Sequence, residues 1–217
     1  YNLPQSTIVN KVIPKKTLVS QLGANTRMKD HLTNDVVRVE WLAKLAPSTI
    51  NVADGKEVHE ITVFLVPVKD KNCSDDFFSF VDSLMPRHTL FILRWGEMSC
   101  LHLNYKEWMG NNTKADKAFR IVQTYRSQWV KDTEISLSIE GLNMDAIYGT
   151  LVRQVAGKRI ILQSENLHED VEKSSQYEAL LKEIEILKRK ENKEKQPQKK
   201  FVLHQQRIAL ELKISKK

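Results

Sequence analysis

EVHEITVFLVPVKDKNCSDDFFSFVDSLMPRHTLFILRWGEMSCLHLNY, residues 57–105, reads strand, helix, strand, strand and so sets the architecture. Ile61, Val63 and Leu65, with Val58, lie on one side of an extended segment, and Thr62, Phe64, Val66 and Val68 on the other. Such two-sided, β-branched character suits a central strand covered on both faces. Pro67 lacks a ladder donor, so an edge, a bulge or the strand's end is expected there. Asp75-Asp76 are helix-start acids ahead of Phe77, Phe78, Phe80, Val81 and Leu84, an apolar face at helical spacing that stops at Pro86. His88 to Trp95 and Met98 to Tyr105 flank a Gly96-Glu97 turn. Leu101 and Leu103 alternate with His102 and Asn104, which places the latter two on a polar side.

Before this stretch, Asn2 to Pro14 reads as an extended arm rather than a regular element, and Lys15 to Leu22 as a short helix closed by Gly23. Asn25 or Thr26 caps a second helix carrying Met28, Leu32 and Val36. Val37 to Leu45 alternates as a strand, Ser48 to Val52 continues it after a kink, and Asp54-Gly55 turns the chain into the central strand. On the far side, Trp108 to Asp116 is a polar loop, and Phe119 to Val130 is read as strand over helix. Ile135, Leu137 and Ile139 alternate cleanly before Gly141, and a helix from Asn143 or Asp145 turns Ile147, Leu151, Val152 and Val155 inward until Gly157.

Charge divides the chain. Residues 1–172 hold 21 basic and 21 acidic side chains, residues 173–217 hold 13 and 6, so the whole +7 lies in the last 45 residues. Tyr177, Leu180, Leu181, Ile184 and Leu187 recur at steps of three and four; Phe201, Gln205, Ile208 and Leu212 form one later seam, and Leu203, Leu210 and Ile214 a neighbouring one. Pro197 breaks the charged connector between them, which predicts an antiparallel helical hairpin. The expected organisation is an α+β body over 1–162, a mixed or antiparallel sheet with helices on one face, then a linker over 163–172 and a basic hairpin over 173–217. Cys73 and Cys100 make no metal spacing or disulfide framework, and no signal or membrane run occurs, which predicts a reduced, cytoplasmic, membrane-free protein.

The wording of several stretches carries a resemblance: NLPQST at 2–7, VNK at 9–11 and IPKK at 13–16, KLAPSTINV at 44–52, VHEITVF at 58–64 and EKQ at 194–196. They resemble the bacterial family called domain of unknown function 4391, over nearly the whole chain. The resemblance implies a small prokaryotic protein encoded beside helicases and DNA methyltransferases of restriction-like or phage-defence clusters. It supplies no catalytic residues to carry over.

A restriction-type nuclease site needs an acid on one strand and an acid-x-Lys on the next, so that two carboxylates hold Mg²⁺. Asp54 and the strand ending in Lys69 have that outline, but position 67, where the second carboxylate belongs, is Pro; Glu57 and Glu60 would have to substitute. His59, His88 and His102 form no His-x-x-x-His pair, Cys100 reads as a core residue, and neither a nucleophile elbow nor a phosphate-binding glycine loop occurs. No catalytic, metal or cofactor residue is therefore expected. Binding remains. Lys188, Arg189, Lys190, Lys193, Lys195, Lys199 and Lys200 concentrate charge at the hairpin tip, a candidate for sequence-independent phosphate contact, since no aromatic lies between them. Tyr177, Leu180, Leu181, Ile184, Leu187, Phe201, Ile208 and Leu212 are the candidate partner-binding seam. These readings lead to an expected non-enzymatic accessory subunit docking on a helicase or DNA methyltransferase, with a divergent metal-dependent nuclease as the alternative.

Overall fold

The computed structural model describes all of the 217 residues except 22, 24, 110–118, 162, 163, 165, 216 and 217. The expected loop at 108–116 and the inward Leu22 lie largely or wholly outside the described residues. The chain divides into two compact units, Tyr1–Gly157 and Lys158–Lys217.

The first unit contains β1 (Ile8–Ile13), α1 (Lys15–Gln21), α2 (Thr26–Asn34), β2 (Val39–Leu45), α3 (Pro47–Ile50), β3 (Ile61–Pro67), α4 (Asp75–Leu84), β4 (His88–Trp95), β5 (Met98–Trp108), β6 (Phe119–Arg126), β7 (Val130–Lys131) and α5 (Met144–Ala156). Six strands lie in the order β1-β2-β3-β4-β5-β6, and β7 pairs with β5. All pairs are antiparallel except β3 and β4, which run parallel from Ile61↔His88 to Pro67↔Arg94. That one parallel step is why a helix, α4, separates them in sequence: parallel neighbours need a crossover. The class is α+β, as read. Pro67 is the last residue of β3, so its missing donor removes no interior ladder bond. Gly96 has φ +58°, the left-handed value that a two-residue hairpin with glycine first requires.

Ser74 caps α4 by accepting from Asp76 N, and Asp75 and Asp76 sit in its first turn, where acids oppose the positive end of the helix. Its Phe77, Phe78 and Val81 meet Phe64, Val66, Phe91, Leu93 and Cys100 of the sheet, together with Leu18, Met28 and Leu32 from α1 and α2. The expectation of helices on one face holds for these helices only. The other sheet face carries α5, whose Tyr148 lies 4.3 Å from the His88 ring and 6.3 Å from Tyr105, centroid to centroid. The Tyr148 hydroxyl donates to Asn104 O at 2.9 Å and accepts from Lys106 N at 3.3 Å, beside the register shift between Tyr105 and Lys106. A β-irregularity leaves backbone groups unpaired, and here a side chain from the neighbouring helix pairs them.

Four local expectations need correction. The arm at 2–14 is partly regular: Ile8–Ile13 is an edge strand with a register shift at Asn10, which takes φ +51°. Its sequence hides this because Val9 and Val12 face solvent and no alternation is needed at a paired edge. Residues 48–52 do not extend β2; Pro47 starts a single helical turn, Thr49 Oγ1 accepts from Ala46 N at 2.9 Å, and Asn51 closes it at φ +54°. Residues 135–139 alternate in burial, with Ile135 and Leu137 inward, yet form no strand. Gln154 takes the place of a neighbouring strand, accepting from Ser138 N at 3.1 Å and donating to Ser136 O at 2.6 Å. The linker expected at 163–172 is helical from Leu167, because Asn166 accepts from Glu169 N and Glu169 and Asp170 occupy the first turn of a helix.

That helix is α6 (Leu167–Lys193), and with α7 (Pro197–Ser215) it forms the second unit's hairpin. Pro197 opens α7, the helical position where proline's missing N–H costs nothing.

Candidate nucleic-acid and partner interface

The hairpin places the predicted basic residues by ordinary helix chemistry. α6 ends with Lys190 and Lys193 in its last turn, where cations meet the negative helix end. Glu194 N then donates to Lys190 O at 3.0 Å, and Glu194 Oε1 accepts from Gln196 N at 2.9 Å, which turns the chain into α7. Lys188, Arg189, Lys190, Lys193, Lys195, Lys199 and Lys200 are all exposed around this turn. Arg189 pairs with Glu185 one turn back, a solvated pair of little energetic weight.

The acids among the lysines do not neutralise them alike. Glu191 is turned into the seam, only 13% exposed, with Arg207 Nε at 2.8 Å and His204 Nδ1 at 3.0 Å. Arg207 also holds Glu211 at 2.7 Å. The Arg207 and then the His204 hydrogen bonds hold the Glu191 carboxyl below its usual range, and Glu191 in turn raises Arg207. Among the described residues, no carboxylate forms an ion pair with Lys188, Lys190, Lys193, Lys195, Lys199 or Lys200.

The predicted partner seam splits in two. Tyr177, Leu180, Ile184 and Leu187 of α6 are half-buried, as are Leu203, Ile208, Leu210 and Ile214 of α7. Of the two α7 seams, the neighbouring one, Leu203, Leu210 and Ile214 with Arg207 between them, is half-buried throughout, whereas the first keeps only Ile208 half-buried. Leu181, Phe201 and Leu212 remain outside at 44%, 62% and 55% exposure, joined by Ile186 and Val202 at 51% and 53%. Sequence spacing could not choose between the seams, because Arg207 interrupts the one that packs. Its pairing with Glu191 is what makes an arginine compatible with that position.

Phe201 also changes the reading of the tip. No aromatic interrupts the run from Lys188 to Lys200, but the first turn of α7 sets Phe201 immediately after Lys199 and Lys200, mostly exposed.

Among the described residues, Asp54 and Lys69, the outline read as a nuclease site, are not brought together. Asp54 lies before β3 and pairs with His59 Nδ1 at 3.0 Å, while Lys69 lies past its far end and donates to Thr33 O at 2.8 Å. The strand between them is roughly 20 Å long. Glu60 is paired with Lys44 at 3.0 Å. Asp35 meets Lys69 through the backbone, its O accepting from Lys69 N at 2.8 Å, while its carboxylate is 2.6 Å from His31 Nδ1. Among the described residues, no group of three or more His, Cys, Asp or Glu side chains could hold a metal ion.

The remaining titratable candidates are core residues. Burial, helped by Lys106, pushes His88 down to about 3, and burial pushes the Cys100 thiol up to about 12. His102 is fully buried against Phe78 and Phe91, and burial lowers its pKa as well; the side expected to be polar is the one α4 covers. A cavity of about 260 Å³ between α1, α4 and the sheet is lined by apolar side chains apart from Glu60, Thr62 and Arg87. No helix among the described residues is long and apolar enough to cross a membrane.

No curated protein and no solved structure matches the chain. A family profile, however, matches residues 1–211, and its span includes the sheet, the helices on both its faces, and nearly all of the hairpin. By that match the chain belongs to the family described as Domain of unknown function (DUF4391).

Proposed function

We propose that the protein is a non-enzymatic accessory subunit of a prokaryotic DNA-processing or phage-defence complex. In this reading the outward side chains Leu181, Leu212 and Ile186 dock on a helicase or DNA methyltransferase, and the lysines of the hairpin tip hold nucleic-acid phosphates. The observation that carries it is the arrangement at the tip: six exposed lysines with no carboxylate partner among the described residues, and Glu191 turned inward onto Arg207. Uncompensated positive charge on a firm support is the electrostatic footprint of a phosphate-binding surface. The helicase and methyltransferase partners come from the gene company that the family resemblance implies.

The test is affinity capture of the full-length protein from its native cell, with and without nuclease treatment and over a salt series. The reading expects the neighbouring helicase or methyltransferase to be retained after nuclease treatment. It also expects a nucleic-acid fraction lost steeply with salt, with a slope that falls by about one for each of Lys195, Lys199 and Lys200 changed to Gln. Capture of neither component would end it.

A further inference from the structure

We infer that Phe201 makes the hairpin tip a reader of single-stranded nucleic acid, its ring stacking on an unpaired base while Lys199 and Lys200 hold the adjoining phosphates. The inference rests on the phosphate-binding reading of the tip and names the form of nucleic acid that the tip takes. Phe201 is 62% exposed, and Val202 beside it 53%, whereas Leu203, Leu210 and Ile214 of the same helix turn toward half-burial. The hairpin's own packing therefore leaves this ring out, with apolar area still available for burial against a ligand.

Its surroundings select the occupant. Lys199 and Lys200 precede it directly, and Gln198 and Gln205, three residues before and four after, share its helix face; all four are exposed. The residues 173–217 carry 13 basic and 6 acidic side chains, so a second copy of this hairpin would meet like charge. A polyanion with apolar faces complements both features at once. In a duplex those faces are hidden in the stack, while in a single strand every base offers one, and lysines beside an aromatic track its backbone. Amide side chains flanking the ring add hydrogen-bonding reach without favouring one base.

Fluorescence anisotropy of the full-length protein separates the possibilities. The probes are an oligothymidine of about 20 nucleotides and a duplex of the same length, measured in the same buffer with wild type, Phe201→Ala and Phe201→Tyr. The expected result is tighter binding of the single strand. Phe201→Ala should weaken it about tenfold and leave duplex binding within about twofold, and Phe201→Tyr should restore it. Equal, salt-sensitive binding of both probes with no effect of Phe201→Ala overturns the inference and leaves the phosphate-binding reading standing. Absence of binding to either probe overturns both. Phe201-dependent binding to phosphatidylserine vesicles without single-strand preference also overturns the inference, since it would make the ring a lipid-facing wedge. Phe201 is outside the half-buried seam of Leu203, Leu210 and Ile214, so circular dichroism of the alanine variant should match wild type.

Discussion

Lys106 and Asp82 form an ion pair with neither side chain exposed, Nζ to Oδ1 2.7 Å, joining β5 to α4. The ammonium uses all three donors, giving the others to Asp82 O at 3.1 Å and Arg87 O at 2.6 Å. Asp82 Oδ2 accepts from Asn104 Nδ2 at 2.9 Å, and Asn104 Oδ1 accepts from Ser79 and Thr124 hydroxyls at 3.0 and 2.7 Å. A buried charge is tolerated only with such satisfaction, and removing one partner strands the other. Lys106→Met or Asp82→Ala is expected to lower unfolding free energy by about 3–5 kcal/mol, read from urea midpoints. The double variant Asp82→Leu with Lys106→Met should recover much of that loss.

Acid should destabilise the first unit through His88. Its folded pKa is depressed to about 3 by burial and by Lys106, against the ordinary 6.5. Between those values the unfolded chain binds a proton that the folded chain refuses, so stability is full above about pH 6.5 and falls as pH drops toward 3. The slope from one such group is at most about 1.4 kcal/mol per pH unit. His88→Gln should flatten the dependence of the urea midpoint on pH across that window; an unchanged profile would assign the acid sensitivity elsewhere.

Gly55 marks a close approach. Asp145 of α5 accepts from three successive amides, Lys56 N at 2.7 Å, Glu57 N at 3.2 Å and Val58 N at 2.8 Å, which pins the loop that feeds β3. A Cβ at position 55 would lie 2.4 Å from Val58 O and 2.5 Å from Asp145 Oδ1. Gly55→Ala should cost about 1–3 kcal/mol in denaturant unfolding, and Asp145→Ala about 1–2 kcal/mol, chiefly through the Val58 amide, since Lys56 and Glu57 are exposed and water can pair theirs.

Leu210 and Leu212 separate packing from docking. Leu210 lies on the half-buried side of α7, and Leu212 is 55% exposed. Leu210→Ala is expected to reduce helicity and thermal stability of the hairpin. Leu212→Asp should leave both unchanged while reducing recovery of the protein partner, measured by far-ultraviolet circular dichroism and by affinity capture.

The sequence made the sheet's centre legible because residues 61–66 are apolar on both faces and Pro67 and Gly96 punctuate it. It concealed β1 and misread residues 135–139, since an exposed edge strand needs no alternation and an alternating segment becomes a strand only if a neighbour offers its ladder. At the tip the lysines were legible as a run. Which leucines face outward was not, because that choice depends on Arg207 finding Glu191 across the helix pair. Nor was the exposure of Phe201, which depends on the same rotation of α7.

The Glu191 clamp has a thermodynamic corollary. With the last turn of α6 already tied to Arg207 and His204 of α7, a ligand at the tip immobilises lysine side chains but has no backbone left to order. Association would then lack the large heat-capacity change and entropic loss of coupled folding. Its rate would be governed by diffusion and long-range attraction, so the tip would act as a preformed capture device whose speed is tuned by ionic strength.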